Sequence, residues 1–197
     1  MGNTFKLILL FIFLAGLFSC SVYDNGQKVI VYKDLKEALK TPDEVLFLKL
    51  TRKKYSKFPM DILKFKNLKS LDLSKNKLDS IPVEISQLSK LEELKLNKNK
   101  FVFFPVEICE LNSLEKLGLN NNDLENIPKE IANLDNLVYL DLWSNLITDF
   151  PVELKQLVKL KRLDLRMINI SEEKQYELKK MLPKVKIFMS NSCNCGV

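Results

Sequence analysis

Two carboxylates in this chain are framed by residues able to do chemistry. Asp141 stands between Tyr139 and Trp143, and Asp164 between Arg162 and Arg166, each at a spacing of two. Paired carboxylates can serve as general acid and base, and the flanking aromatics and arginines can grip a ligand. The chain has no histidine, so Ser-His and Cys-His nucleophile pairs and histidine metal sites are excluded. Its cysteines, Cys20, Cys109, Cys193 and Cys195, offer little more. The two thiols of the "CNCG" tail fall short of a zinc ligand set, and three cysteines beyond Cys20 cannot form a closed disulfide framework. No metal or other cofactor is expected.

The elements that position these residues follow a fixed period. Leu68, Leu91, Leu114, Leu137 and Leu160 are each 23 residues apart, and Pro59, Pro82, Pro105, Pro128 and Pro151 keep the same spacing. Asn76, Asn99, Asn122 and Asn145 make a third column, and Ile62, Ile85, Ile108, Ile131 and Leu154 a fourth. Recurrence of this kind marks stacked units, none of which buries its apolar face alone. The segment L-x-L puts alternate side chains on one face of a short strand, so parallel stacking gives a continuous core. Asparagine turns the chain out of the strand and satisfies backbone groups of neighbouring turns. Proline suits the first position of a helical turn, and Glu84, Glu107, Glu130 and Glu153 then complement its positive end in a structural role.

The unit L-x-x-L-x-L-x-x-N-x-L-x-x-I-P-x-E-I resembles the leucine-rich repeat family, over residues 45–182. The resemblance implies an α/β solenoid: a right-handed horseshoe arc with a short-stranded parallel concave sheet and helical turns on the convex side. Units 68–159 are four regular repeats, with degenerate units at both ends. Residues 29–44 are expected to form an N-terminal cap, with a strand at 29–32 and a helix begun by Asp34 and Glu37 as a capping box. Ser171 is expected to cap a C-terminal helix, and 183–197 to supply a cap strand and tail. The ending resembles that of bacterial proteins of this 23-residue type, several of them lipoproteins.

The first nineteen residues differ in kind. Lys6 precedes an apolar run from Leu7 to Phe18, too short for the roughly 20 residues of a spanning helix. A basic start, a short apolar run and small Ser19 describe a secretory signal peptide over 1–19. "LFSC" at 17–20 resembles a bacterial lipobox, which implies a diacylglycerol thioether on Cys20 as the first mature residue and a flexible tether over 20–28. The alternative is plain secretion with Cys20 an ordinary thiol.

With 46% apolar residues and a formal net charge of +6, the chain has a core and a basic surface. Outward columns of the sheet place Tyr139, Asp141 and Trp143 beside Arg162, Asp164 and Arg166, with Gly118 leaving a notch at their side. This patch is the expected partner-binding site. The competing arrangement is self-satisfaction, with Arg162 on Tyr139, Arg166 on Trp143 and both arginines neutralising the aspartates. Lys49, Lys75, Lys95, Lys98 and Arg52 make the early half of the face basic, interrupted by Asp72 and Glu93, which implies either a solvated mixed face or a preference for acidic partners. Phe103, in a polar column, is expected to be exposed on a lateral edge.

A flat solenoid sheet encloses no pocket, so catalysis by Asp141 and Asp164 is not expected. The function expected is a monomeric, membrane-anchored binding module for a protein partner, a host or envelope component by the resemblance. A glycan-binding or structural envelope protein, taking an acidic glycan, is the alternative. The signal argues against nucleic acid and for export to the bacterial cell envelope, at the outer membrane or cell surface in preference to the periplasmic inner membrane. Acylation is checked by growing cells with a labelled fatty acid. Label should enter the wild-type chain and not the Cys20→Ala variant, and a wild-type chain without label would refute the anchor.

Overall fold

The computed structural model describes the backbone of residues 19–24 and 27–190, and the side chains of residues 29–190. Residues 1–18 of the signal segment 1–19 and the cysteines of the tail lie outside the described residues. Nine strands form one sheet in strict chain order: β1 (Ser19–Asp24), β2 (Gln27–Tyr32), β3 (Phe47–Lys49), β4 (Ser70–Asp72), β5 (Glu93–Lys95), β6 (Lys116–Gly118), β7 (Tyr139–Asp141), β8 (Arg162–Leu165) and β9 (Lys186–Met189). From β2 to β9 every pairing is parallel. This is the leucine-rich-repeat solenoid that the resemblance implied.

Register follows the sequence period. Leu48, Leu71, Leu94, Leu117, Leu140 and Leu163 stand opposite one another across adjacent strands, and all are buried. Their neighbours Leu73, Leu96, Leu119 and Leu142, with the isoleucines Ile85, Ile108 and Ile131, complete the core at full burial. The last step is longer by one residue, pairing Leu163 with Ile187.

On the other side of each coil the chain makes a single 3-10 turn of five residues: Met60–Lys64, Val83–Gln87, Val106–Glu110, Lys129–Asn133 and Val152–Gln156. Each period leaves too little chain for more than one turn. The prolines do not occupy the first helical position, as the sequence suggested, but the position before it. There they keep an extended backbone, and their carbonyls accept the first bond of each turn. Glu84, Glu107, Glu130 and Glu153 sit in the first turn, where their charge complements the exposed N–H groups.

The asparagine column ties these coils together. The Asn122 amide donates to the carbonyls of Leu119 (2.9 Å) and Leu96 (3.1 Å), while its oxygen accepts from the N–H groups of Asn99 (3.1 Å) and Phe101 (3.3 Å). Asn76 makes the equivalent bonds to Leu50, Leu73, Lys53 and Tyr55. Asn145 bonds Leu119, Leu142 and Leu124, and Asn99 bonds Leu73, Leu96 and Leu78. A second, exposed ladder escaped the sequence reading: Asn67, Ser113 and Asn136, just before each repeat, donate to the carbonyls of Asp43, Ser89 and Asn112.

At the N-terminal end, Asp34 caps the helix Leu35–Ala38 by accepting from the N–H groups of Lys36 and Glu37. Glu37 does not complete a reciprocal box, its carboxylate being engaged by Lys40. Ser171 caps the helix Glu172–Met181 through the Lys174 N–H. Residues 19–24, read from sequence as the last signal residue and the start of the tether 20–28, pair antiparallel with β2, with Cys20 opposite Val31. The physical reason is the open edge of β2, whose unpaired backbone groups take a further strand. No helix among the described residues is long and apolar enough to cross a membrane.

Candidate functional site

The sheet face opposite the core is built from the columns that alternate with the buried leucines. At its C-terminal end the parallel pairing of β7 and β8 brings Tyr139 opposite Arg162 and Asp141 opposite Asp164, as the period required. Trp143 and Arg166 follow immediately after these strands, where each aspartate folds back on the chain. Asp141 Oδ1 accepts from the Trp143 N–H (3.2 Å), and Asp164 Oδ1 from the Arg166 N–H (3.3 Å). These bonds fix the direction in which the two large side chains leave the sheet.

Beyond that, the arrangement follows the self-satisfied alternative in part: Arg162 lies over Tyr139 and both arginines meet Asp164, but Arg166 does not reach Trp143. Asp164 is almost wholly buried, at 1% exposure, and Arg166 grips it with both arms, Nε to Oδ1 at 2.9 Å and Nη2 to Oδ2 at 2.7 Å. Arg166 is therefore committed to Asp164 and does not stack on Trp143. Its guanidinium lies near another ring, Phe188 of β9, at 5.9 Å. Arg162 is sandwiched between Phe188 (4.4 Å) and Tyr139 (5.1 Å), with Asp164 at 3.9 Å. Lys186 also approaches Phe188, at 5.1 Å. Phe188 is thus the centre of the cluster, and it was missed because β9 lacks the repeat phrase. Carrying the 23-residue register one strand further, across "KVKIFM", places Ile187 opposite Asp164, and only the extra residue of the last step puts Phe188 there.

Trp143, which its outward column would expose, is half-buried. Among the described residues no cation lies over it. Gly118 does not leave a notch. A Cβ there would stand 2.7 Å from Asn97 Oδ1, because the Asn97 amide lies across the glycine and accepts from the Asn120 N–H at 3.1 Å. Glycine is needed for that close approach. Asn120 in turn donates to Asp141 Oδ2 at 2.5 Å, so these amides extend a hydrogen-bonded floor toward the cluster. Ser74, which holds the place of Trp143 in an earlier repeat, is buried by the same kind of turn, its N–H bonded to Asp72.

Both carboxylates that might have formed an acid–base pair are bound into the scaffold, Asp164 by arginine and Asp141 by Asn120 and the Trp143 N–H. Burial raises Asp141 above the ordinary carboxylate range, and Asp164 adds to this, against the opposing bonds from Asn120 and Trp143. Burial likewise raises the Tyr139 phenol, with the Asp141 charge as the next cause. Cys109 is an inert core thiol pushed up to about 12, first by burial and then by Glu130, Glu110 and Glu107. Among the described residues no cluster of three metal-ligating side chains exists.

Toward the N-terminal end, the same face opens into a shallow basin of about 460 Å³, lined by Lys49, Arg52, Lys75, Lys95 and Lys98 with Asp72 among them. Glu93 lies beside the basin and is held below its ordinary range. Burial works against this, but the bonds from Ser70 and Lys95 and the charges of Lys95 and Lys116 outweigh it. Phe103 is 70% exposed on its edge, as its column implied.

Comparison with known proteins places this geometry in context. The profile of the family described as leucine rich repeat matches residues 48–101 and 112–169, together more than half of the chain. A leucine-rich-repeat protein of Leptospira interrogans is 32% identical, with a TM-score of 0.64 over 77% of this chain and 44% of its own. Internalin C2 of Listeria monocytogenes is 22% identical, with a TM-score of 0.65 over 81% of this chain and 67% of its own, and shows the shared fold. The plant peptide hormone receptor RGFR1, solved in complex with RGF2, is 30% identical, with a TM-score of 0.51 over 63% of this chain and 24% of its own. The chain thus spans less than half the length of the Leptospira protein. No curated protein sequence matches it.

The raised Asp141 gives a pH signature. The native state holds the Asp141 proton more tightly than the unfolded chain does. Its contribution to stability is therefore fully present below the ordinary value of 3.8 and lost as pH rises through the raised folded value. Asp141→Asn keeps the acceptor for the Trp143 N–H and has no such loss. Denaturant midpoints measured from about pH 3 to about pH 7 should show the variant gaining on the wild type as pH rises. A constant difference across that range would contradict the assigned burial of the charge.

Proposed function

Because the chain belongs to the leucine-rich repeat family, we propose that it is a binding module holding a protein partner against the C-terminal end of its concave sheet. The observation that carries this reading is the Trp143 ring. It is half-buried and not covered by a cation, the backbone N–H of its residue is bonded to Asp141, and on the neighbouring strands Arg162 lies between the rings of Tyr139 and Phe188. Tryptophan, tyrosine and arginine held in fixed positions are the residues that dominate binding hot spots, because little side-chain freedom remains to be lost. Solenoid sheets commonly use this surface, and the receptor RGFR1 was solved with its partner bound.

The module is tethered through lipid on Cys20 and exported to a bacterial envelope, at the outer membrane or cell surface. Support for the tether is the apolar run ending in "LFSC", and several acyl chains supply the two anchoring signals that stable attachment needs. It acts as a binder and not as an enzyme, since Asp141 and Asp164 are both engaged by neighbouring donors. A glycan-binding role is favoured by one feature, the Trp143 ring on a face whose other end is basic, which suits an acidic sugar.

The reading is tested by capture from host and envelope extracts on the full chain and on Trp143→Ser. The substitution removes a partly buried ring, so the melting temperature is read beside capture to separate lost packing from lost binding. It should weaken the captured partner by about 2 kcal/mol or more. A partner bound equally well by both proteins would refute the site. Binding of acidic oligosaccharides with no protein captured would favour the glycan role.

A further inference from the structure

The basin over β3 to β6 carries cations of a different standing from those of the aromatic cluster. Arg162 and Arg166 are committed to Asp164 and Phe188. Arg52, Lys75 and Lys98 are exposed and have no acidic partner among the described residues. They occupy the same turn position of three successive repeats, so they form a row across the sheet at about the 4.8 Å spacing of neighbouring strands.

Their backbone makes the row more pointed. Arg52, Lys75 and Lys98 have φ of 60°, 60° and 57°, in the left-handed region. That conformation crowds a Cβ against the backbone, and asparagine or glycine accepts it more readily than a long cation does. Later repeats fill the place with Asn121, Ser144 and Met167. The turn therefore requires the conformation but not the charge, and the three cations are there for some other reason. Lys49 and Lys95 add charge on the strands below, each partly offset, Lys49 by Asp72 at 3.9 Å and Lys95 by Glu93 at 3.0 Å.

We propose that this basin binds a run of carboxylates on the protein partner, an acidic peptide segment laid across β3 to β5. The proposal rests on the protein-binding reading above and specifies what the partner presents at the other end of the same face. A peptide fits better than an acidic glycan because Asp72 sits among the cations. A chain whose acidic residues alternate with neutral ones can pass that carboxylate, whereas a polymer charged on every unit sets a like charge against it. Unpaired lysines act as point charges that attract carboxylates without demanding one geometry, which speeds capture of a flexible segment.

The test uses the full chain and three labelled probes: a short peptide alternating glutamate and serine, its glutamine counterpart, and a polygalacturonate oligosaccharide of matched charge. Fluorescence anisotropy should show binding of the glutamate peptide, weakening as salt rises, and no binding of the glutamine peptide. The triple variant Arg52→Asn, Lys75→Asn, Lys98→Asn should bind it at least about tenfold more weakly. Because asparagine suits the left-handed turn, the variant should melt no lower than the wild type, which separates lost binding from lost folding. Equal binding by variant and wild type, or no binding of the glutamate peptide by the wild type, would overturn the proposal. So would tighter binding of the oligosaccharide at matched charge. Trp143→Ser separates the two readings. A captured protein that depends on Trp143 but not on the three cations overturns the acidic-segment assignment alone. Capture that ignores Trp143, with the glutamate peptide still held by the three cations, overturns the cluster and supports the basin.

Discussion

Backbone groups buried at the exit of each strand must be satisfied, and in this chain one asparagine per coil does it. Strands β3 to β9 are only three or four residues long, so the sheet ladder cannot cover the carbonyls and N–H groups where the chain turns away from it. Asn76, Asn99, Asn122 and Asn145 each donate to a carbonyl of their own coil and to one of the coil before. An unsatisfied buried group costs about 1–3 kcal/mol, comparable with a sizeable part of a domain's net stability. The column therefore fixes both the curvature point of each coil and its distance from the next.

The binding surface inherits its order from that constraint. Once every coil leaves the sheet at the same place, the residue just before the asparagine is forced into the left-handed region in unit after unit. The residues flanking each buried leucine are forced outward. What then varies is only chemistry: free cations toward β3, amides in the middle, and an aromatic–arginine cluster toward β9. The amides are not neutral filler. Asn97 lies over Gly118 and bonds Asn120, which bonds Asp141, so the middle of the face helps hold the carboxylate that orients Trp143.

Most of the fold was legible because stacking repeats the same local problem in each unit, and a solution repeated at 23 residues is visible as columns. Register, core and turn positions followed from Leu, Asn and Pro alone. Legibility failed where the period ends. Phe188 lies one residue beyond the period's expectation in a strand without the leucine phrase, and its part in clasping Arg162 was invisible without the closing strand. Arg166 was misassigned because a sequence does not rank a buried carboxylate against a neighbouring ring, and two charge-assisted bonds to Asp164 outweigh one cation–aromatic contact. The Gly118 notch failed for a similar reason, since a missing side chain invites a neighbour to fill its place. Pairing of β1 with β2 carried no repeat signal at all.

If the asparagine column holds the scaffold on which both ends of the face depend, a mid-array position should reveal it. The direct measurement is the unfolding free energy of Asn122→Ala against that of Asp123→Ala, adjacent in sequence, one buried within the ladder and the other exposed. The account predicts a loss of about 1–3 kcal/mol for Asn122→Ala, and a change within about 0.5 kcal/mol for Asp123→Ala. Equal denaturation midpoints for the two variants would contradict it.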